Sequence, residues 1–195
     1  MLLRHLSGPL LVLGALLGGA GPVPVPAPAA EQAPAWFREH MRFMTRGSGR
    51  FVADNAAYRS ADEPFDAYGT EWSYGLGEQS LVGRLFGLLE EQERGTFWEF
   101  RVYWDPAAGQ VRMLQFGLDG TVGDGWLAPR GGPGELAAEQ TFTGPDGSAR
   151  EVRHESSDAG ERHTTASLSR IAGAGVEGEW QADREYVWVR QPADE

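Results

Sequence analysis

The sequence predicts an all-β protein, an up-and-down antiparallel barrel of about eight to ten strands with one short N-terminal helix. Beyond Arg50 the chain divides into runs of roughly eight to ten residues with alternating apolar and polar side chains, separated by turn signals. The connections are too short for crossover helices, so consecutive strands should pair antiparallel. If this sheet of consecutive strands closes into a barrel, it has no exposed edge strands, which are prone to aggregation.

Residues 1–29 have the pattern of a secretory signal peptide. Arg4 and His5 form a short polar start, Leu10–Leu17 an apolar run, and Ala27-Pro28-Ala29 a small-x-small cleavage pattern; cleavage after Ala20 also fits. The apolar run is shorter than the ~20 residues of a membrane-spanning helix, so we expect no stable membrane span after cleavage. The mature protein is therefore expected to be exported, either to the periplasm or out of the cell.

Residues 30–49 are expected to form a short helix and a linker before the barrel. Between Ala33 and Met44 large apolar side chains recur at helical spacing, and Pro34 suits a first helical turn. The apolar residues are Trp36, Phe37, Met41 and Met44. We interpret the segment as an amphipathic helix that packs its apolar stripe on the rest of the domain, followed by a flexible hinge at Gly47-Ser48-Gly49.

Residues 50–191 form the predicted barrel domain. In the clearest strand, Thr96–Trp104, large apolar side chains lie on one face and Glu99 and Arg101 on the other. This alternation shows two faces but does not show which one is inside. Turn residues separate the strands, as at Asp119-Gly120. Besides a short piece near Phe51, the predicted strands are Phe65–Tyr74, Ser80–Leu89, Thr96–Trp104, Val111–Leu118, Thr121–Ala128, Glu135–Thr143, Ala149–Glu155, Arg162–Ile171 and Arg184–Arg190.

His154 and His163 flank a predicted turn at Asp158-Ala159-Gly160, so the register of this hairpin decides whether they could share a metal ion. A three-residue loop with a left-handed Gly160 places Val152 opposite Ala166, and also Arg150 opposite Leu168. Because this register matches apolar residues across the hairpin, we predict it. His154 then shares a face with Val152 while His163 points the other way, and no metal site is expected.

Composition excludes several classes of function. The net charge is -11, and all 17 basic side chains are Arg, so nucleic acid is not an expected partner. The chain has no Cys, which excludes disulfides and thiolate chemistry, and no Lys, which excludes a phosphate-binding loop with its lysine. There is no Gly-x-Ser-x-Gly elbow, and the last strand has no His for haem. No catalytic residue, metal or cofactor is therefore predicted.

Several turn motifs and the closing strand form a pattern between Phe97 and Arg190. They are Tyr103-Trp104-Asp105-Pro106 with Gly109, Gly117-Leu118-Asp119-Gly120, Thr143-Gly144-Pro145-Asp146-Gly147, and Arg184–Arg190. In these motifs the segment, which is roughly half of the chain, resembles a bacterial lipocalin-like (calycin-type) family of uncharacterised envelope and cytosolic proteins. The resemblance implies a lipocalin-like barrel without an agreed activity, and no functional residues carry over from the family.

A barrel of ~8 strands is just wide enough to be filled by side chains or to hold one small ligand. We therefore expect a noncatalytic exported protein that binds a small apolar or amphipathic ligand; its oligomeric state is left open. The residues expected to line the barrel are Trp72, Trp98, Phe100, Trp104, His154, Tyr186 and Trp188. The alternatives are a structural or partner-binding envelope module with a filled barrel, and a hydrolase or isomerase that uses His154 with Glu139 or Glu155.

Overall fold

The computed structural model describes residues 32–171 and 179–193, so the predicted signal peptide lies outside the described residues. Within these described residues one helix, α1 (Ala35–Thr45), precedes ten strands, with a single turn of 3-10 helix at Leu76–Glu78. The strands are β1 (Arg50–Asp54), β2 (Ala67–Tyr74), β3 (Ser80–Leu89), β4 (Gln92–Asp105), β5 (Gln110–Gly117), β6 (Val122–Pro129), β7 (Glu135–Thr143), β8 (Ala149–Ala159), β9 (Arg162–Ile171) and β10 (Gln181–Arg190).

The strands form one closed antiparallel barrel in which each strand pairs with the next along the chain. The circle is completed by β10 and β1, where Arg190 lies opposite Phe51 and Val189 opposite Val52. The prediction of an all-β, up-and-down barrel with one short N-terminal helix is therefore confirmed. A ten-strand barrel of this kind fits a lipocalin-like fold.

On β4 and β7 the apolar side chains face inward. On β4, Phe100 and Val102 are buried, whereas Glu99 and Arg101, which alternate with them, are exposed. On β7, Leu136 and Ala138 are likewise buried. On these two strands the alternation is therefore apolar inside and polar outside, as expected for a barrel whose outer face meets water.

Helix α1 covers one end of the barrel, which we call the helix end. Phe37, Met41 and Met44 are its buried residues, as the apolar spacing predicted. At its C-terminus the Arg190 guanidinium donates hydrogen bonds to the carbonyl oxygens of Phe43 and Arg46, at 2.6 and 2.8 Å. Carbonyls at a helix C-terminus have no partner within the helix, so this arginine both caps α1 and fixes it to β10.

At the opposite end, which we call the far end, the connection between β1 and β2 is held by the Glu63 carboxylate. Arg184 donates two hydrogen bonds to it, each 2.5 Å long, and the Tyr68 hydroxyl donates another of 2.6 Å. The hydrogen bonds from Arg184 lower the pKa of Glu63, although partial burial opposes the shift. This long connection is thereby fastened to β2 and β10.

The predicted register of the β8–β9 hairpin is wrong. Val152 lies opposite Ser169 and Asp158 opposite His163, and the turn consists of Gly160 and Glu161. Gly160 has φ +60°, a left-handed conformation that glycine adopts without steric cost. Matching apolar residues failed here because the inward positions of β9 are mostly serine and threonine. His154 and His163 consequently both point inward.

Candidate ligand-binding cavity

The barrel encloses a cavity of about 680 Å³, lined by α1 and by side chains from the barrel strands. Six of the seven residues expected to line the barrel do so: Trp72, Trp98, Phe100, His154, Tyr186 and Trp188. Trp104 does not; it packs against the apolar core instead. The involvement of the six residues in ligand binding stays a prediction.

One side of the cavity is an aromatic wall, formed by Trp72 on β2, Leu85 on β3, and Trp98 and Phe100 on β4. The rings of Trp72 and Phe100 are stacked with their centroids 5.1 Å apart. Gly83 on the strand between them leaves room for this stack, since a Cβ there would lie 2.5 Å from the Trp72 ring. The sequence therefore has a glycine on β3 where the neighbouring strands, β2 and β4, have large aromatic side chains.

The other side is a polar wall, formed by the inward residues His154 and Ser156 on β8 and Thr165 and Ser167 on β9. In the closed order of ten strands, β8 is five strands away from β3 in either direction, and β9 is five strands away from β4, so the two walls face each other. Trp188 donates its indole N–H to the Thr165 hydroxyl at 2.9 Å. The cavity is therefore amphipathic across its width.

Two buried polar atoms of cavity-lining residues have no hydrogen-bond partner within the described residues, Nε2 of His154 and Nε1 of Trp72. His154 Nδ1 lies 3.0 Å from the Ser167 hydroxyl, so only one side of its ring is satisfied. Burial lowers the pKa of His154 to about 4, and the charge of Arg150 acts in the same direction, so the ring is neutral near neutral pH. Unsatisfied buried groups of this kind are uncommon and favour a ligand or water that supplies the missing partner.

At the helix end, two histidines share one carboxylate, a group that we call the His-Asp-His cluster. Asp158 Oδ2 lies 2.8 Å from His40 Nδ1, and Asp158 Oδ1 lies 2.6 Å from His163 Nδ1. The three side chains are only 10%, 7% and 12% exposed for His40, Asp158 and His163. Burial raises the pKa of Asp158, but the hydrogen bonds from both rings outweigh it and leave that pKa at about 2. Asp158 is therefore ionised near neutral pH.

This cluster was not predicted from the sequence. The predicted register placed Asp158 in a turn and directed His163 outward, and His40 is 118 positions from Asp158, so no local pattern connects them. The only signal in the sequence is that a two-residue turn at Gly160 and Glu161, which was not considered, brings Asp158 opposite His163. The contribution of α1 could be found only from the tertiary structure.

At the far end the cavity reaches the surface. Arg150, Asp183 and Arg184 all line it and are all exposed. The Arg150 guanidinium also lies 5.8 Å from the centre of the Phe142 ring, which lines the cavity as well. Charged groups thus surround the cavity at the far end, whereas rings and apolar side chains form much of its interior.

The proposed pairing of His154 with Glu139 or Glu155 for catalysis is not present. Glu139 pairs with Arg153 and Glu155 with Arg130. Glu155 follows His154 on β8, and Glu139 follows Ala138, the residue opposite His154 on β7, so both glutamates lie on the outward face of the sheet. Within residues 32–171 and 179–193, no three His, Asp or Glu side chains are arranged to hold a metal ion. In the same part of the chain, no helix is long and apolar enough to span a membrane.

Comparison with known proteins gave no match among protein-family models, curated proteins or solved structures. The fold and the geometry of the cavity are therefore the basis for the functional proposal.

Proposed function

We propose that this chain is an exported, noncatalytic binding protein of the lipocalin-like kind, which holds a small amphipathic ligand inside its barrel. The observation that carries the proposal is the cavity of about 680 Å³ with an aromatic wall facing a polar wall. Sites for small molecules have volumes of roughly 300–1,000 Å³ and combine apolar walls with a few polar groups. The cavity lies within this range.

The two walls favour an amphipathic ligand over a purely apolar one. Stacked Trp72 and Phe100 provide a flat apolar surface for a hydrocarbon or ring. On the other side, His154 Nε2 has no partner in the part of the chain that the structure describes, and a ligand that approached it could supply one after a small adjustment of the ring. A fully apolar ligand would displace water from the hydroxyls of the polar wall without offering them hydrogen bonds, which is unfavourable. The alternative of a barrel filled by its own side chains does not fit a cavity of this size.

Native mass spectrometry of the protein purified from its own host tests the proposal directly. We expect a retained small molecule, and we expect Nile red or a similar neutral probe to quench tryptophan fluorescence in the emptied protein. A barrel that retains no molecule and binds no probe would refute the proposal and favour a structural module.

A matched pair of variants tests whether the probe binds inside the barrel. Ala138 lines the cavity, whereas its neighbour Ala137 points outward on the same strand. Ala138→Phe should reduce probe affinity about tenfold or more because the ring occupies ligand space. Ala137→Phe should leave the affinity unchanged. Equal effects of the two substitutions would show that the probe binds elsewhere.

A further inference from the structure

Asp158 engages only the Nδ1 side of each ring in the His-Asp-His cluster, so Nε2 of His40 and Nε2 of His163 remain for a ligand in the cavity that both residues line. An ionised carboxylate can only accept hydrogen bonds, so the contacts of Asp158 with both rings require a proton on Nδ1 of His40 and of His163. On a neutral ring with its proton on Nδ1, Nε2 carries a lone pair and accepts. The shared carboxylate therefore sets the same tautomer on both rings.

Neither Nε2 atom of the cluster has a partner among the described residues. The buried unpartnered nitrogens there are those of Trp72 and His154, so Nε2 of His40 and of His163 keeps some accessible surface. Both rings line the cavity, with their centroids 6.4 Å apart. A single polar group at this position would be within reach of both rings.

A tether between α1 and the barrel does not explain the whole cluster. His40 and Asp158 alone connect the helix to β8, whereas His163 lies on β9 beside Asp158 and adds nothing to the attachment of α1. Arg46 and Arg190 already fix the helix from outside the cavity, through the carbonyl oxygens of Gly160 and Phe43. The second histidine instead makes the end of the cavity a two-acceptor surface.

The charge of this surface limits which head groups can bind. In the tautomer that Asp158 sets, with no proton on either Nε2, the cluster has one formal negative charge, and this charge lies on a side chain that is only 7% exposed. An anionic head group there would be repelled, and an ester or ether oxygen has no hydrogen to donate. A hydroxyl or a primary ammonium group has no negative charge and has a hydrogen to donate, so either can bind there.

We infer that the helix end of the cavity is a subsite for a hydrogen-bond-donating head group, so that an amphipathic alcohol or primary amine binds head first against His40 and His163. The inference rests on the proposed function, since it assigns the orientation and head-group class of the ligand. The apolar body of such a ligand would lie along the aromatic wall toward the far end.

Competition with Nile red on the full chain tests the head-group preference. The competitors have the same alkyl chain and are used below their aggregation concentrations: dodecanol, dodecylamine, dodecyltrimethylammonium and methyl dodecanoate. We expect the alcohol and the primary amine to bind about three- to tenfold more tightly than the other two, as one or two net hydrogen bonds provide. Dodecyltrimethylammonium controls for charge because it has no N–H. A preference that follows charge alone, or no preference, would overturn the inference.

Asparagine variants test whether His40 and His163 cause the preference for hydrogen-bond-donating head groups. In His40→Asn and His163→Asn the amide N–H can replace Nδ1 as a donor to Asp158, but no atom replaces Nε2. The preference for donors should fall to less than about twofold in the double variant while Nile red still binds. Arg46→Gln is the matched control, because Arg46 tethers the same helix without lining the cavity, and it should keep the full preference. A preference that survives the double variant would overturn the inference.

Failure of this inference and failure of the proposed function give different results. If neither Nile red nor any competitor binds, both are refuted. If all four competitors bind equally, the binding function stands and the head-first orientation is wrong. Should the asparagine variants not fold, NMR of the histidine side-chain nitrogens in the unmodified protein decides: Nε2 of His40 and His163 should shift when dodecanol is added, and unchanged signals would overturn the inference.

Discussion

His154 and His163 lie on adjacent strands of one hairpin, yet the residue across the hairpin gives each a different electrostatic environment. His163 faces the Asp158 carboxylate at 2.6 Å, whereas His154 faces the Ser167 hydroxyl at 3.0 Å. Burial therefore dominates for His154 and lowers its pKa to about 4, while the carboxylate beside His163 stays ionised with a pKa of about 2. The comparison shows that one cross-strand residue decides whether a buried imidazole faces a neutral hydroxyl or an ionised carboxylate.

Of the changes that test this comparison, removal of the Asp158 carboxylate should have the largest effect on stability. Asp158→Ala leaves two buried imidazoles without their acceptor, and we expect the free energy of unfolding to fall by about 3–5 kcal/mol. Chemical denaturation monitored by tryptophan fluorescence measures the change. The control is Glu151→Ala, which removes a carboxylate paired with Arg170 on the outer face of the same hairpin and should cost less than about 1 kcal/mol. Equal losses would contradict the importance of burial.

Acid should destabilise the protein through His154. Its pKa is lower in the folded protein, about 4, than its ordinary value of 6.5, so the unfolded chain binds a proton first as the pH falls. The stabilisation is complete above pH 6.5 and is lost between there and about pH 4, roughly 3 kcal/mol in all.

The difference in unfolding free energy between the unmodified protein and His154→Asn measures this loss. Because the variant has no titrating group at this position, the difference should fall by roughly 3 kcal/mol between pH 6.5 and about pH 4. Arg150 and Asp183 act on His154 with opposite signs, which leaves burial as the main cause. A difference that does not depend on pH would show that the ring is hydrated in the folded protein.

The hydroxyl opposite His154 should have a moderate effect. Ser167→Ala leaves Nδ1 of the ring without a partner in an already unsatisfied environment, and we expect a loss of about 1–2 kcal/mol in unfolding free energy. Ser169→Ala on the same strand is the comparison, because the Ser169 side chain makes no hydrogen bond within the described residues; it should change stability by less than about 0.5 kcal/mol. If the two variants unfold alike, the Ser167 hydrogen bond has no energetic role.

The exposed contacts of the helix end should have the smallest effect. Arg46 and Glu161 form an ion pair at 2.5 Å, but their side chains are 54% and 61% exposed. Arg46→Gln should therefore lower the unfolding free energy by less than about 0.5 kcal/mol, and most of that loss should disappear in high salt. A loss comparable to that of Asp158→Ala would mean that the attachment of α1, not burial, determines the stability of this end.

The barrel could be predicted from the sequence because its signals are local. Alternation on β4, the glycine turns and the apolar spacing of α1 each depend on a few neighbouring residues. The lining residues followed from the same alternation. Trp104 was the exception among the seven, since alternation gives the face of a residue but does not give its height along the barrel.

The chemistry of the cavity could not be predicted in the same way. The predicted register of β8 and β9 assumed an apolar interior, and the polar wall at Thr165 and Ser167 violates that assumption. His40 and Asp158 meet only because α1 folds over the end of the barrel, a contact that no local pattern encodes. Functional sites often break local rules in this way, and here the broken rule was hydrophobic matching across a hairpin.

The pairing of β10 with β1 has a consequence for biogenesis. Every other neighbouring pair of strands is consecutive, so those hairpins can form as the chain emerges from the ribosome. The circle cannot be completed until Arg190 and Val189 are available to Phe51 and Val52. Until then the nascent sheet has two open edges, and a chaperone that shields them would protect it during synthesis.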